Sequence, residues 1–179
     1  MSGTGRAKKI TAHTDKILSL ERLVEALEGE RPAGRKIVFT NGCFDIIHPG
    51  HVAYLEDAAS RGDVLVLGLN SDASVRRLKG PGRPINPQGD RALLLAGLAS
   101  IDYVTFFDQD TPLELIMAVK PDVLVKGGDW TVENIVGHEF VLERGGEVYS
   151  LPFKEGYSTT RLIDKIKKLS DPPEKGRAS

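Results

Sequence analysis

The chain has 179 residues, 40% of them hydrophobic and 27% charged, and its 24 Lys+Arg against 25 Asp+Glu leave a formal net charge of −1. That length suits a single core, and the charge balance offers no bulk attraction to nucleic acid or to a membrane surface. One cysteine, Cys43, excludes an intrachain disulfide and a four-cysteine zinc site. No apolar run nears the roughly 18 residues of a bilayer span, so a cytoplasmic protein with no membrane partner is expected.

The polar, Pro/Gly/Ser-rich ends, 1–13 and 170–179, read as loose tails around one domain at 14–169. Leu20, Leu23, Val24 and Leu27 keep helical spacing, and Gly29 stops the predicted helix. "KIVFT" (36–40) reads as a buried strand, and "HVAYLEDAASRG" as a helix turning Val52, Leu55 and Ala59 inward. "DVLVLGLN" (63–70) is a second strand, nearly all apolar as in parallel sheets covered on both faces. "KGPGRPINP" (79–87) excludes regular structure. A helix then runs to about Ser100, with Asn86 as N-cap and Pro87 in its first turn.

"YVTFF" (103–107) is the third strand, and "TPLE" (111–114) reads as a capping box opening a helix that ends near Pro121. "DVLVKGG" (122–128), the helix "ENIVGHEFVLERGG" and the strand "EVYSLP" follow, and a last helix over about 159–169 is expected to bury Leu162, Ile166 and Leu169. Strands alternating with helices imply an α/β fold. The expected architecture is a Rossmann-like, parallel five-stranded sheet with helices on both faces, in a single domain.

Ligands of such sheets lie beyond the carboxyl ends of the strands, which nominates the loops at 41–50, 70–86, 126–132 and 152–160. In "HPGH", His48 precedes the second helix, Pro49 suits its first position, Gly50 permits close approach and His51 falls in the first turn. A helix N-terminus carries free N–H groups and partial positive charge, so two imidazoles there fit phosphate better than a metal cation. A zinc site from Cys43, His48 and His51 would need a fourth ligand and matches no standard spacing. Simple capping and packing is the bland alternative. His13 and His138 stand in no constellation.

"GCFDIIHPGH" resembles the HxGH signature of the nucleotidyltransferase superfamily that contains the cytidylyltransferases, and "EGYSTTRLI" (155–163) resembles its second signature. With "NSDASVRRLKGPGRPINPQGDR" and "VKGGDW" in order, the likeness runs from about Lys36 to Lys168. Within the superfamily it is most similar to the bacterial heptose 1-phosphate adenylyltransferases. The resemblance implies an in-line transfer of AMP from ATP to D-glycero-D-manno-heptose 1-phosphate, giving ADP-heptose for lipopolysaccharide core, with Mg²⁺ carried in by the triphosphate and no protein metal residues.

It also implies roles. His48, His51 and Lys79 would be catalytic, the histidines at the transition state and the lysine on the β- and γ-phosphates. Thr40, Phe44, Gly50, Arg91, Ser158, Thr159 and Thr160 would bind nucleotide, one of the last three serving as a plain N-cap. Asn41, Asp45, Lys126, Asp129 and Trp130 would meet the sugar phosphate, Asp45 by positioning, since a phosphate nucleophile needs no base. Arg161 contacts triphosphate or faces solvent.

A cytidylyltransferase acting on glycerol 3-phosphate or phosphoethanolamine shares the chemistry. A non-catalytic nucleotide sensor would be expected to lose a histidine or the lysine. Relatives of this kind are often dimers, so a homodimer is expected, and a stand-alone version would take its acceptor from a separate heptose kinase. Nucleic acid is not an expected partner.

Overall fold

The computed structural model describes residues 13–170 except 153 and 155. The expected tails lie outside the described residues apart from His13, which opens a 3-10 turn, and Ser170, which closes the last helix. Helix α1 (Leu20–Glu30) leads to β1 (Ile37–Gly42), α2 (Pro49–Ala59), β2 (Val64–Asn70), α3 (Asp72–Lys79) and α4 (Gln88–Ala96). Then come β3 (Tyr103–Phe107), α5 (Leu113–Val119), β4 (Val123–Gly127), α6 (His138–Glu143), β5 (Glu147–Leu151) and α7 (Thr159–Ser170).

The strands form one parallel sheet in the order β3-β2-β1-β4-β5. The expected fold is therefore found. Period-2 alternation sorts each strand between two cores. Val38, Leu65, Leu67, Val123 and Val125 pack with Leu55 and Ala58 of α2 and Leu95 of α4. Ile37, Phe39, Val64, Val66 and Leu124 pack with Leu23 and Leu27 of α1, Ile116 of α5 and Val141 of α6. Aspartates just before β2, β4 and β3 tie neighbouring strand entrances: Asp63, Asp122 and Asp102 accept from the backbone N–H of Lys36, Ile37 and Leu65 at 2.7–2.8 Å. These bonds fix the amino-terminal ends of the strands relative to one another.

Several local expectations are corrected. Gly29 lies inside α1, which runs on to Glu30. Helix α2 buries Tyr54, Leu55 and Ala58, while Val52 and Ala59 are half-buried. Asn86 does not cap α4, which has Pro87 at that place and ends at Ala96. Thr111 does not cap α5 either; Pro112 precedes its first residue, and Glu114 accepts instead from Gln109 Nε2 at 3.0 Å. The expected helix over "ENIVGHEFVLERGG" is split into a 3-10 turn, Val132–Asn134, and α6. Gly137 between them holds φ at 89°, and a Cβ there would stand 2.8 Å from Ile116 Cδ1, so only glycine fits the break. In α7, Ile166 and Leu169 are 52% and 78% exposed and Leu162 is half-buried, contrary to the burial expected of them. Among the described residues no helix is long and apolar enough to cross a membrane.

Candidate active site

A cleft of about 720 Å³ opens at the carboxyl ends of the strands, over β1 and β4, where the strand order turns from one half of the sheet to the other. All four nominated loops reach it, through Cys43, Lys79, Trp130 and Thr159 among others. A fifth segment, Asp110–Pro112 after β3, also lines it. It escaped notice because the fragment read as the start of a helix.

The histidines are built by the local backbone. His48 is extended (φ −144°, ψ 166°) and serves as the N-cap of α2, its Nδ1 accepting from the backbone N–H of His51 at 3.3 Å. An accepting Nδ1 places the ring proton on Nε2. The two rings stack 3.7 Å apart and 14° from parallel, and Phe44 meets His51 edge-on at 5.1 Å. His51 lines the cleft. Burial, followed by the charge of His48, pushes the His51 imidazole down to about 4, and burial lowers His48 as well. Burial thus favours the neutral form of both rings, and His51 Nδ1 is buried with no hydrogen-bond partner among the described residues.

Two glycines make this packing possible. A Cβ on Gly50 would meet Tyr157 Cβ at 3.0 Å and His48 Nδ1 at 3.1 Å, and one on Gly42 would meet the Phe44 ring at 2.8 Å. Phe44 itself holds φ at 43°, a left-handed conformation that costs a bulky residue about 1–3 kcal/mol. That cost is offset by what the turn places, the aromatic edge against His51.

The cleft is cationic. Lys79 ends α3 at the cleft wall, exposed and with no ion pair among the described residues. Lys126, at the end of β4, reaches Asn41 Oδ1 at 3.4 Å and has no carboxylate partner among the described residues. Burial holds its ammonium below the usual lysine range, and Lys79 adds to the effect. Two uncompensated ammonium groups in one cleft favour an anionic ligand.

Helix α3, which carries Lys79, forms where the sequence predicts a loop. It buries only Ser74 and Val75, so it shows no apolar stripe, and it is held by polar contacts instead. Ser74 Oγ accepts from Asn70 Nδ2 at 3.0 Å, and Arg77 pairs with Asp110 at 2.9 Å.

Asp45 is 3% exposed and lies against the 83–86 loop. Its carboxylate accepts from Arg83 Nε, from Ile85 N at 2.7 Å and from Asn86 N at 3.0 Å, while its carbonyl accepts from Asn86 Nδ2 at 2.7 Å. Arg91 is wholly buried, and this corrects its assignment to the nucleotide. Its guanidinium donates to Asn86 O at 3.0 Å, Cys43 O at 2.6 Å and Asp72 Oδ1 at 2.7 Å. It fastens the loop after β1 to α3 and to the start of α4.

The other expected residues divide. Asn41, Phe44, Asp45, Lys126, Trp130, Thr159 and Thr160 line the cleft, whereas Thr40, Gly50, Asp129 and Ser158 do not. Thr40 is fully buried, with its hydroxyl 2.6 Å from Tyr54 Oη. Ser158 accepts from Arg161 N at 3.1 Å and so takes the plain capping role expected of one residue in that run. Trp130 is 49% exposed, its indole N–H on Gly127 O at 3.2 Å. Arg83, Asn70 and Asn134 also line the cleft and were not singled out, since no local motif marks them.

Among the described residues no group of three or more His, Cys, Asp or Glu is placed to hold a metal. The donors that line the cleft, ammonium, guanidinium, imidazole and hydroxyl groups, suit phosphate oxygens.

A family model described as cytidylyltransferase-like matches residues 39–165. The chain is 58% identical over 157 residues to the "Bifunctional protein HldE" of Geobacter metallireducens, covering 86% of this chain and 32% of that protein. It is 55% identical over 151 residues to the protein of the same name from Alcanivorax borkumensis, covering 84% and 32%. The chain thus spans about a third of the length of these relatives. Among solved structures, the "lipopolysaccharide core biosynthesis protein" of Thermoplasma volcanium superposes with a TM-score of 0.54 at 26% identity, over 69% of this chain and 99% of the other. The family match takes in the end of β1, the stacked histidine pair, both cleft lysines and the hydroxyl run opening α7, and on it this chain belongs to the cytidylyltransferase-like family.

Proposed function

We propose that the cleft transfers AMP from ATP to a sugar 1-phosphate, D-glycero-D-manno-heptose 1-phosphate, releasing ADP-heptose and pyrophosphate for lipopolysaccharide core synthesis. The observation that carries this reading is the His48–His51 stack at a helix N-terminus, in which His48 lies behind the cleft-lining His51, beside two cleft lysines with no carboxylate partner among the described residues. The likeness to a lipopolysaccharide core biosynthesis protein supports the substrate class.

A phosphate oxygen of the acceptor attacks the α-phosphorus; a new P–O bond forms as the bond to the bridging oxygen breaks, and pyrophosphate leaves with the electron pair. The acceptor phosphate is already an anion, so no residue need remove a proton. The work is placement and charge stabilisation. The Nε2–H of His48 and the imidazole of His51 donate to oxygens on the α-phosphorus, where negative charge builds. Lys79 holds the leaving phosphates, and Lys126 steadies the approaching anion. Thr159 and Thr160 offer hydroxyls and free N–H groups at the start of α7. A divalent cation such as Mg²⁺, carried by the triphosphate, would neutralise part of its charge. Its acceptor, a sugar 1-phosphate, is the product of a sugar kinase activity.

The test is pyrophosphate release with Mg²⁺, crossing ATP, CTP and GTP against heptose 1-phosphate, glycerol 3-phosphate and phosphoethanolamine. Release with ATP and heptose 1-phosphate alone is the expected result. Release with CTP and another acceptor would keep the mechanism and overturn the substrate.

A further inference from the structure

Asp45 is one of the few buried charges among the described residues, and its hydrogen bonds all run to one loop. A buried carboxylate is costly unless paired, and its pairing here fixes a specific arginine. Arg83 donates to Asp45 through Nε, and its half-buried side chain lines the cleft that also holds His51, Lys79 and Lys126. No bond is made by its two terminal amino groups among the described residues, so the fork is oriented from behind and open in front. That is the arrangement in which arginine grips phosphate: one edge held by a carboxylate, two parallel N–H groups presented to oxygens.

The support behind it is continuous. Arg91 bonds Cys43 O at 2.6 Å and Asn86 O at 3.0 Å, bracketing Asp45 and the 83–86 loop from below. Gly80, with φ at 94°, lets the chain leave α3 immediately after Lys79 and turn toward that loop.

We propose that Arg83 is a phosphate-binding residue of this cleft, aimed by Asp45, which acts as a positioning residue and not as a base. The ligand class is a phosphate carried by either substrate, the triphosphate of the nucleotide or the monoester of the acceptor. The inference rests on the nucleotidyl-transfer reading for the names of those substrates, but a phosphate grip is measurable without turnover.

The experiment is equilibrium binding by calorimetry to the full chain, with ATP, inorganic tripolyphosphate and heptose 1-phosphate as separate probes. Wild type is compared with Arg83→Gln, Arg83→Lys and Asp45→Asn, each checked by thermal melting. Arg83→Lys keeps a cation against Asp45, so it guards against loss of fold, and it removes the fork. Losing a charge-assisted contact is expected to weaken binding about 10-fold or more. Weakening confined to ATP and tripolyphosphate assigns the arginine to the triphosphate; weakening confined to heptose 1-phosphate assigns it to the acceptor. Asp45→Asn should weaken the same probe by a smaller factor, because the arginine stays but is no longer aimed. Folded Arg83→Gln and Arg83→Lys proteins that bind all three probes within twofold of wild type would overturn the proposal. Failure of the functional reading looks different: no product from any substrate pair in wild type, with tripolyphosphate binding still lost in Arg83→Gln.

Discussion

The rings of His48 and His51 lie 3.7 Å apart in a near-parallel stack, and the backbone N–H of His51 donates to the His48 ring. His48 caps α2, and the proposed mechanism gives it a second, separable duty, donation from Nε2 to a ligand. Asparagine can perform the first and not the second. His48→Asn should melt within a few degrees of wild type, while kcat falls by about 10²-fold or more, as expected when a donor to a transition state is removed. Pyrophosphate-release kinetics beside a thermal melt make the comparison. Wild-type turnover would return the histidine to capping alone.

The depressed His51 value carries a prediction about acid stability. Its folded value of about 4 lies below the ordinary 6.5, so between those pH values the unfolded chain takes up a proton that the folded chain refuses. The stability from the neutral buried ring is complete above about pH 6.5 and drains away as pH falls toward 4. Urea titrations at pH 7 and pH 4.5 should show wild type losing more stability than His51→Gln over that interval. Equal losses would mean that His51 titrates normally.

The strands and the histidine junction could be read because their signals are local. Apolar runs such as Val64–Leu69 declare a sheet covered on both faces, and a histidine either side of Pro49-Gly50 declares a helix start with donors. What could not be read is held by contacts distant in sequence or lacks apolar pattern. Helix α3 shows a solvent-side row of Arg76, Arg77 and Lys79 and buries only Ser74 and Val75. Asp45 meets Arg83 across 38 positions, and Arg91 meets Cys43 across 48. Spacing also places the apolar stripe of α7 without saying what covers it, and Ile166 and Leu169 stand exposed.

The correction at Arg91 separates a structural role from a binding role. A fully buried guanidinium with three partners leaves Asp72, Cys43 O and Asn86 O unpaired when removed. Breaking a buried pair from one side costs about 3–5 kcal/mol. Arg91→Met should lower Tm by roughly 10 °C, on the scale of about 2–4 °C per kcal/mol for a domain of this size. Binding of tripolyphosphate to the fraction still folded should change little. A melt like wild type with weakened binding would restore the arginine to the ligand.

Lys126 is the converse case, a side chain whose charge burdens the empty protein. It is half-buried, lacks a carboxylate among the described residues and has its ammonium held below the usual range by burial. Methionine fills similar volume without needing solvation, so Lys126→Met should stabilise the free protein by about 1 kcal/mol, as neutralising a strained site often does. The same change should weaken phosphate binding about 10-fold, since the lysine is uncompensated only until an anion arrives. Thermal melts with and without tripolyphosphate read both effects at once. The variant should start higher than wild type and gain less on adding the ligand. If instead it starts lower and gains as much, the lysine is a packing residue and the anion is held by Lys79 and the histidines.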